Sequence, residues 1–483
     1  MKQFHIGLDF GTYQSKACIY DLENDIHEFF LFLNGTFFLP SRVFKKTDGK
    51  FEYGDASGAA VSEEYCYFKI AAAEDEEFHT ETETYGSNCT GNFYEFNEFK
   101  NYTPEFLSVA YITYMLFTIK EKYHQPFQRQ VEMGALLSKI FQRQTKEEEV
   151  RFTVQLGIPT EWSQEKNLRR KRKFENILML SEMLQKKYKD KVTFLSVSTE
   201  QLITDVQHIY QSYNFSGKES FEAHLNELGI SVYPETAAGL TFIIKTKQLL
   251  PGYYAIMDIG GGSTDISFFR IQEGGYIHYL ASESYMMAAN NVYRKYSGEP
   301  QTILRLHQAE LEVRELTTSV NWKEDQSLVS SLNDVNNDLC KFVYKLFNKR
   351  VYWFNKKMIE NYSDQPIIIY GGGIRLPILN RGKILIHDHG NKTSINIQMI
   401  HLEKQEMRKY ASIINTRPTD GSWDADFPLL AVALGLSFIK PTSSADWFND
   451  RDYKAKDGDQ LEEVPHPFNE GYYIYDVLNS KWK

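Results

Sequence analysis

Ala255-Ile-Met-Asp-Ile-Gly-Gly-Gly-Ser-Thr-Asp-Ile-Ser-Phe-Phe-Arg270 is an apolar strand, a glycine-rich turn and a second strand whose apolar residues begin at Ile266. That is the pattern of a β-hairpin with polar groups gathered at its bend. Gly260, Gly261 and Gly262 carry no Cβ, so the backbone can bring its N–H groups close to an anion, and Ser263 and Thr264 add hydroxyl donors. Asp258 before the turn and Asp265 after it flank this cradle, which suits a divalent cation lying between carboxylates and phosphates. A plain hairpin turn has the same glycine-rich look. The N-terminus favours the phosphate cradle, because Ile6-Gly-Leu-Asp-Phe-Gly-Thr-Tyr-Gln-Ser-Lys-Ala-Cys-Ile-Tyr20 repeats the layout. With Asp9-Phe10-Gly11 set over Asp258-Ile259-Gly260 and no gap, Ser15 falls on Thr264, Lys16 on Asp265 and Ile19 on Phe268. Such a repeat implies two similar lobes that face one another, each offering a phosphate loop to one nucleotide.

Pro366-Ile-Ile-Ile-Tyr-Gly-Gly-Gly-Ile-Arg-Leu-Pro377 adds a third glycine site, a buried-type strand running into Gly371, Gly372 and Gly373, with Arg375 after them. A strand that ends in glycines is common in any α/β protein, and it gains meaning from standing in order with the other two.

The succession Asp9-Phe-Gly-Thr12, Ile158-Pro-Thr160, Pro234-Glu-Thr-Ala-Ala238, Asp258-Ile-Gly-Gly-Gly262 and Gly371-Gly-Gly-Ile-Arg375 resembles the actin, sugar-kinase and DnaK-type chaperone ATPase superfamily. Within it the chain is most similar to the nucleotide-binding half of the DnaK-type heat-shock chaperones, over roughly residues 1–440. The resemblance implies an α/β, two-lobed actin-like ATPase fold, a duplicated ribonuclease H-like domain with a nucleotide cleft between the lobes. Lobe I would span 1–245, with a peripheral subdomain at about 40–105 and an insertion at about 181–226. Lobe II would span 246–440, with a peripheral subdomain at about 283–363, and 441–483 would be an acidic, aromatic-containing tail.

It also implies ATP or ADP and Mg²⁺ as ligands, and phosphoryl transfer from ATP to water with a conformational output. Asp9 and Asp258 would hold magnesium through its waters, which Mg²⁺ gives up reluctantly. Gly11, Thr12, Tyr13, Gly260, Gly261, Gly262, Ser263 and Thr264 would surround the phosphates, Tyr13 standing where the relatives have a second threonine. Lys69, in Tyr67-Phe68-Lys69-Ile70, matches the lysine that reaches the γ-phosphate; read by itself it is a surface lysine with a buried stem. Glu235 would orient the attacking water. DnaK relatives read Glu-Pro at that point, and Pro234-Glu235 is closer to actin-like plasmid-segregation filament proteins. Glu310 and Arg314, four apart on one helix face, match a pair on the helix that sandwiches adenine, or form an ordinary ion pair. Val313 replaces the lysine of that helix, and Tyr285-Met-Met-Ala-Ala-Asn-Asn291 stands where the relatives have a Gly-Gly pair. Gly371 to Gly373 and Arg375 would pass under the base and sugar.

Composition sets bounds on the rest. The chain has 483 residues, 42% of them hydrophobic, enough for two cores of ordinary size. A formal net charge of −10 disfavours nucleic acid or an anionic membrane as the main partner. No apolar run approaches the roughly 18 residues of a membrane span and no signal peptide is read, so a cytoplasmic protein is expected. Cys18, Cys66, Cys89 and Cys340 lack metal-type spacing. Residues 166–173 are a basic cluster, read as a solvated helix face in preference to a nucleic-acid patch.

Strands are expected over residues 4–8, 17–21, 27–32 and 154–159, and helices over 104–122, 342–359 and 427–438. The stretch after Ile439 is too short and polar for the chaperone's peptide-binding sandwich, although Trp447, Tyr472, Tyr473 and Tyr475 offer anchors. Three functions follow: a DnaK-like ATPase switch acting on an unknown protein partner or client, a self-assembling actin-like filament ATPase, and a low-turnover nucleotide sensor. A small-molecule kinase lacks a sugar-binding signature.

Overall fold

The computed structural model describes residues 2–32, 35–55, 60–73, 99, 101–141, 150–163, 168–212, 218–246, 252–271, 277–298, 303–319, 321–346, 367–378, 383–388, 391–399, 423–438 and 475–476. They form a mixed α/β structure with three sheets. In the first half of the chain lie β1 (Lys2–Asp9), β2 (Gln14–Asp21), β3 (Ile26–Phe29), β4 (Leu39–Pro40), β5 (Val43–Lys46), β6 (Phe51–Tyr53), β7 (Val61–Tyr65), β8 (Val150–Ile158) and β9 (Ile230–Pro234). The second half supplies β10 (Gly252–Ile259), β11 (Thr264–Ile271), β12 (Ile277–Tyr285), β13 (Ile367–Tyr370), β14 (Lys383–Asp388), β15 (Asn391–Met399) and β16 (Tyr475–Asp476).

Both glycine-turn motifs fold as the hairpins their spacing demands. β1 pairs antiparallel with β2, Asp9 opposite Lys16, and β10 pairs antiparallel with β11, Asp258 opposite Asp265. The gapless overlay of the two motifs is therefore also an overlay of register. The likeness extends outward, since one sheet runs β3-β2-β1-β8-β9 and the other contains β12-β11-β10-β13-β15. In each, the first two pairings are antiparallel and the next two parallel.

β1 is buried at six consecutive positions because both of its faces are covered, as parallel-paired strands require. Phe4, Ile6 and Leu8 share a core with Phe174 and Ile177 of the helix Leu168–Lys187. On the opposite face Gly7 lies against the backbone of the helix Trp423–Phe438, whose Leu430, Ala433 and Leu434 pack with Cys18 and Phe29. That helix also packs on the helix Glu235–Thr246 and reaches β13.

Several expected elements differ in extent. The strand read over 27–32 is β3, which ends at Phe29, and the helix read over 104–122 runs Pro104–Phe141. Of the helix read over 342–359, residues 342–346 are the end of Gln326–Leu346, which begins earlier because the apolar stripe already starts at Leu328 and continues through Leu332, Val335, Leu339 and Phe342; residues 347–366 lie outside the described residues. β5, β6 and β7 form a separate small sheet within the stretch read as a peripheral subdomain. Residues 181–226 are largely helical, with Lys191–Ser196, Thr199–Ser212 and Lys218–Leu228 following the end of Leu168–Lys187. Of the tail, Tyr475 and Asp476 are described, and they pair with Leu385 and Ile384 of β14; Trp447, Tyr472 and Tyr473 fall outside the described residues, as does Cys89. Among the described residues no helix is long and apolar enough to cross a membrane.

Candidate functional site

The two sheets present the same ends to one cleft. Asp9 and Thr12 at the end of β1, Glu235 after β9, Asp258 and Gly260 at the end of β10, and Gly371 after β13 all border it. This is where an open sheet with parallel strands exposes polar groups, beyond the strands' carboxyl ends. Gly11, Tyr13, Lys69, Gly261, Ser263, Arg314, Gly372 and Arg375 complete the part of the lining expected from the sequence. Residues from six well-separated stretches of chain thus meet in one place.

Local structure explains how each side chain arrives. Lys69 lies in the short helix Phe68–Ala73, which is buried throughout, so its ammonium can only point into the cleft or the core. Glu235 is the first residue of the helix Glu235–Thr246, directly after β9 delivers Pro234 to the sheet edge. Gly371 has φ of 96°, the region that favours glycine, and a Cβ there would lie 2.0 Å from Asp258 Oδ1. The third glycine run is therefore required where β13 passes the carboxylate of the second hairpin.

Three ion pairs match charges at the cleft with one another. Lys69 Nζ donates to Glu235 Oε1 at 2.8 Å, Lys16 Nζ to Asp9 Oδ2 at 2.8 Å, and Arg314 Nη2 lies 2.8 Å from Glu310 Oε1. Asp265 Oδ1 accepts from the Thr160 N–H at 3.0 Å and from the Ser284 hydroxyl. Burial pushes the Asp258 carboxyl well up, and Glu235, Asp265 and Asp9 add to the push. Burial and Glu235 raise Asp265 to about 7 against the bonds from Ser284 and Thr160. Glu235 is raised by burial, with Lys69 opposing; burial works against the Lys69 ammonium, and Glu235 and Asp9 outweigh it, so its pKa rises. The cleft is thus a crowd of desolvated carboxyls held by two buried lysines.

Four expected site residues stand behind the lining. Glu310 holds Arg314 in place, the Thr264 hydroxyl donates to the Met287 carbonyl at 2.6 Å, Gly262 faces Ile70 and Thr12, and Gly373 packs on the carbonyl of Gly260. Val313 is fully buried, turned away from the cleft. The segment read in place of a Gly-Gly pair touches the second turn by its backbone, the N–H of Asn290 donating to the Gly261 carbonyl at 2.8 Å.

Asp265, read as flanking the cradle, lines the cleft, and so do Lys16, Gln14, Ala289, Tyr293, Leu429 and Val432, which were not among the expected site residues. Lys16 and Asp265 were signalled by the overlay that sets them on one another, each the hairpin partner of a site aspartate. Gln14 opens β2 of the first hairpin and Ala289 lies in the segment read in place of a glycine pair, whereas Tyr293, Leu429 and Val432 come from the helices Ala289–Tyr296 and Trp423–Phe438 and carry no local signal. In comparisons with protein-family models and with curated proteins, nothing matches the chain.

Proposed function

We propose that this chain is a Mg²⁺-dependent ATPase of the actin and DnaK-type superfamily, in which ATP hydrolysis moves two lobes relative to one another. The fold in this reading is the two-lobed actin-like one, with lobe I at 1–245 and lobe II at 246–440. One observation carries it: the two look-alike hairpin turns, separated by most of the first half of the chain, open onto the same cleft with Asp9 and Asp258 both at its lining. The repeated strand order and sense of the two sheets support it independently.

The residues present fit a magnesium–triphosphate. Carboxyls whose pKa values are raised by burial and by one another gain from a dication, which neutralises charge on the transferring phosphoryl group. Among the described residues no three His, Cys, Asp or Glu side chains are grouped to grip a metal directly, so Asp9 and Asp258 would hold magnesium through its waters. Backbone N–H groups of the turns at Gly11 to Tyr13 and Gly261 to Ser263 would be the phosphate donors, the Gly260 N–H being taken by the Ser263 carbonyl at 2.9 Å, with help from the ammonium groups of Lys16 and Lys69. Arg314, braced by Glu310, and Arg375 beside Gly371 and Gly372 bound the end of the cleft assigned to the nucleoside. Glu235 accepts a hydrogen bond from the attacking water and orients it. Transfer of Lys69 from Glu235 to a phosphate oxygen releases that carboxylate for the task, which ties water positioning to nucleotide entry.

A second reading, a nucleotide sensor with little turnover, is favoured by Val313 lying in the core and by the absence of the glycine pair from 285–291. Phosphate release from ATP and Mg²⁺ with no added acceptor, measured beside ATP affinity, separates the two. The ATPase reading expects release by the wild type and a fall of about 100-fold or more in Glu235→Ala, with ATP affinity kept within severalfold. It also expects Asp9→Asn to lose the dependence of affinity on Mg²⁺. Normal hydrolysis by Glu235→Ala overturns the role of that residue, and ATP binding without turnover in the wild type selects the sensor.

A further inference from the structure

The Tyr13 ring lies where the second glycine turn would meet a phosphate. A Cβ placed on Gly261 would fall 2.1 Å from Tyr13 Cδ2 and 2.3 Å from Cε2, so the ring rests flush on the backbone of that turn. It is held there by edge-to-face contacts with Tyr67 at 5.3 Å and Tyr293 at 6.0 Å, and the Arg314 guanidinium stands 5.8 Å from its centroid. Tyr13 belongs to the first hairpin; Gly261, Tyr293 and Arg314 belong to the half of the chain that carries the second. One side chain thus bridges the two phosphate turns. The space left at the centre of the cleft is about 70 Å³, room for a few waters, whereas sites for small molecules are typically about 300–1,000 Å³.

We propose that Tyr13 is a latch: its ring occupies the Gly261 backbone as a built-in competitor of the polyphosphate, and a nucleoside triphosphate binds only after the ring swings out. This rests on the nucleotide reading of the cleft and adds to it a regulatory step at the same site. The absence of a side chain at Gly261 then has two uses, accepting the ring in the closed state and admitting phosphate oxygens in the open one. Tyr67 and Tyr293 set how firmly the latch is held, because they supply the remaining walls around the ring.

When a binding-competent state is only fractionally populated, apparent affinity falls by that fraction. A latch closed in nine molecules of ten makes Tyr13→Thr bind ATP about tenfold more tightly than the wild type. Stopped-flow mixing with a fluorescent ATP analogue and Mg²⁺ should give a wild-type rate that levels off with concentration at the rate of latch opening, and a Tyr13→Thr rate that stays linear. The contact itself has a readout that needs no nucleotide. Gly261→Ala drives a methyl group into the ring and should lower the melting temperature of the wild type by several degrees, but that of Tyr13→Thr by much less. Equal or weaker ATP binding by Tyr13→Thr, with the wild type binding normally, overturns the latch and leaves the nucleotide reading standing. Failure of both proteins to bind ATP while Gly261→Ala and Tyr13→Thr remain coupled in the melt overturns the nucleotide reading and, with it, the latch as a gate.

Discussion

Asp265 faces Asp258 across the second hairpin with Glu235 near by, and it is held at Oδ1 by Thr160 and Ser284. Burial and Glu235 raise its pKa from 3.8 to about 7. An acid raised in the folded state binds more protons folded than unfolded between those two values. Its contribution to stability is therefore full below about pH 4 and is lost as pH rises toward 7. Asp265→Asn keeps the one accepting oxygen that both donors use and removes the titration. Thermal melts from pH 4 to 7.5 should fall more steeply for the wild type than for Asp265→Asn; parallel curves would show that this carboxyl is not the source. At this scale the sequence showed what short spacing can encode: the aspartates, the glycines and the hydroxyls beside them. It did not show that Lys69 meets Glu235 across 166 residues, nor that Tyr293 and Val432 come to the same lining. Those meetings depend on how helices pack, which no local pattern records.

Single elements carry two duties here, and the helix Ile303–Thr318 makes this plain. Leu306, Ala309 and Val313 recur at three- and four-residue steps and are buried in the core. Glu310 and Arg314 lie on the adjoining face, paired with one another, and His307 Nδ1 is 3.1 Å from Arg42 Nη2. A lysine at the position of Val313 would point from this register into the core. Val313→Lys should therefore destabilise the protein by on the order of 3 kcal/mol or more, since a buried ammonium with no partner costs several kcal/mol. Denaturant melts check this, and a neutral result would mean that the helix rotates in solution to bring residue 313 to the cleft. The hairpins and the apolar helix at the end of the second half were legible because their patterns are local and strong. The start of Gln326–Leu346 was misplaced because its first turns carry Ser, Asn and Asp between the apolar positions, diluting the stripe.

Across the whole molecule, the helices Trp423–Phe438 and Glu235–Thr246 both pack on strands of the two sheets, and Trp423–Phe438 covers the larger part of the first. It covers β1 and β2, packs along the helix Glu235–Thr246 that begins with the water-positioning candidate, and touches β13, whose end carries the third glycine site. A helix buried from Leu429 through Leu436 on all sides serves as core, with Leu429 and Val432 also reaching the cleft lining, and the core role was readable from its unbroken apolar run. Such a wedge makes the two halves respond together, because loosening its seat weakens both sheets at once. Leu434 is fully buried in this seat, so Leu434→Ala should cost about 2–5 kcal/mol through lost burial and the cavity it leaves. If the wedge couples the halves, amide hydrogen exchange should accelerate in β1 and in β13 by similar factors. Acceleration confined to β1 would instead make the helix a part of the first half alone, leaving the halves joined by other contacts, among them Thr160 with Asp265 and Thr236 with Ser267.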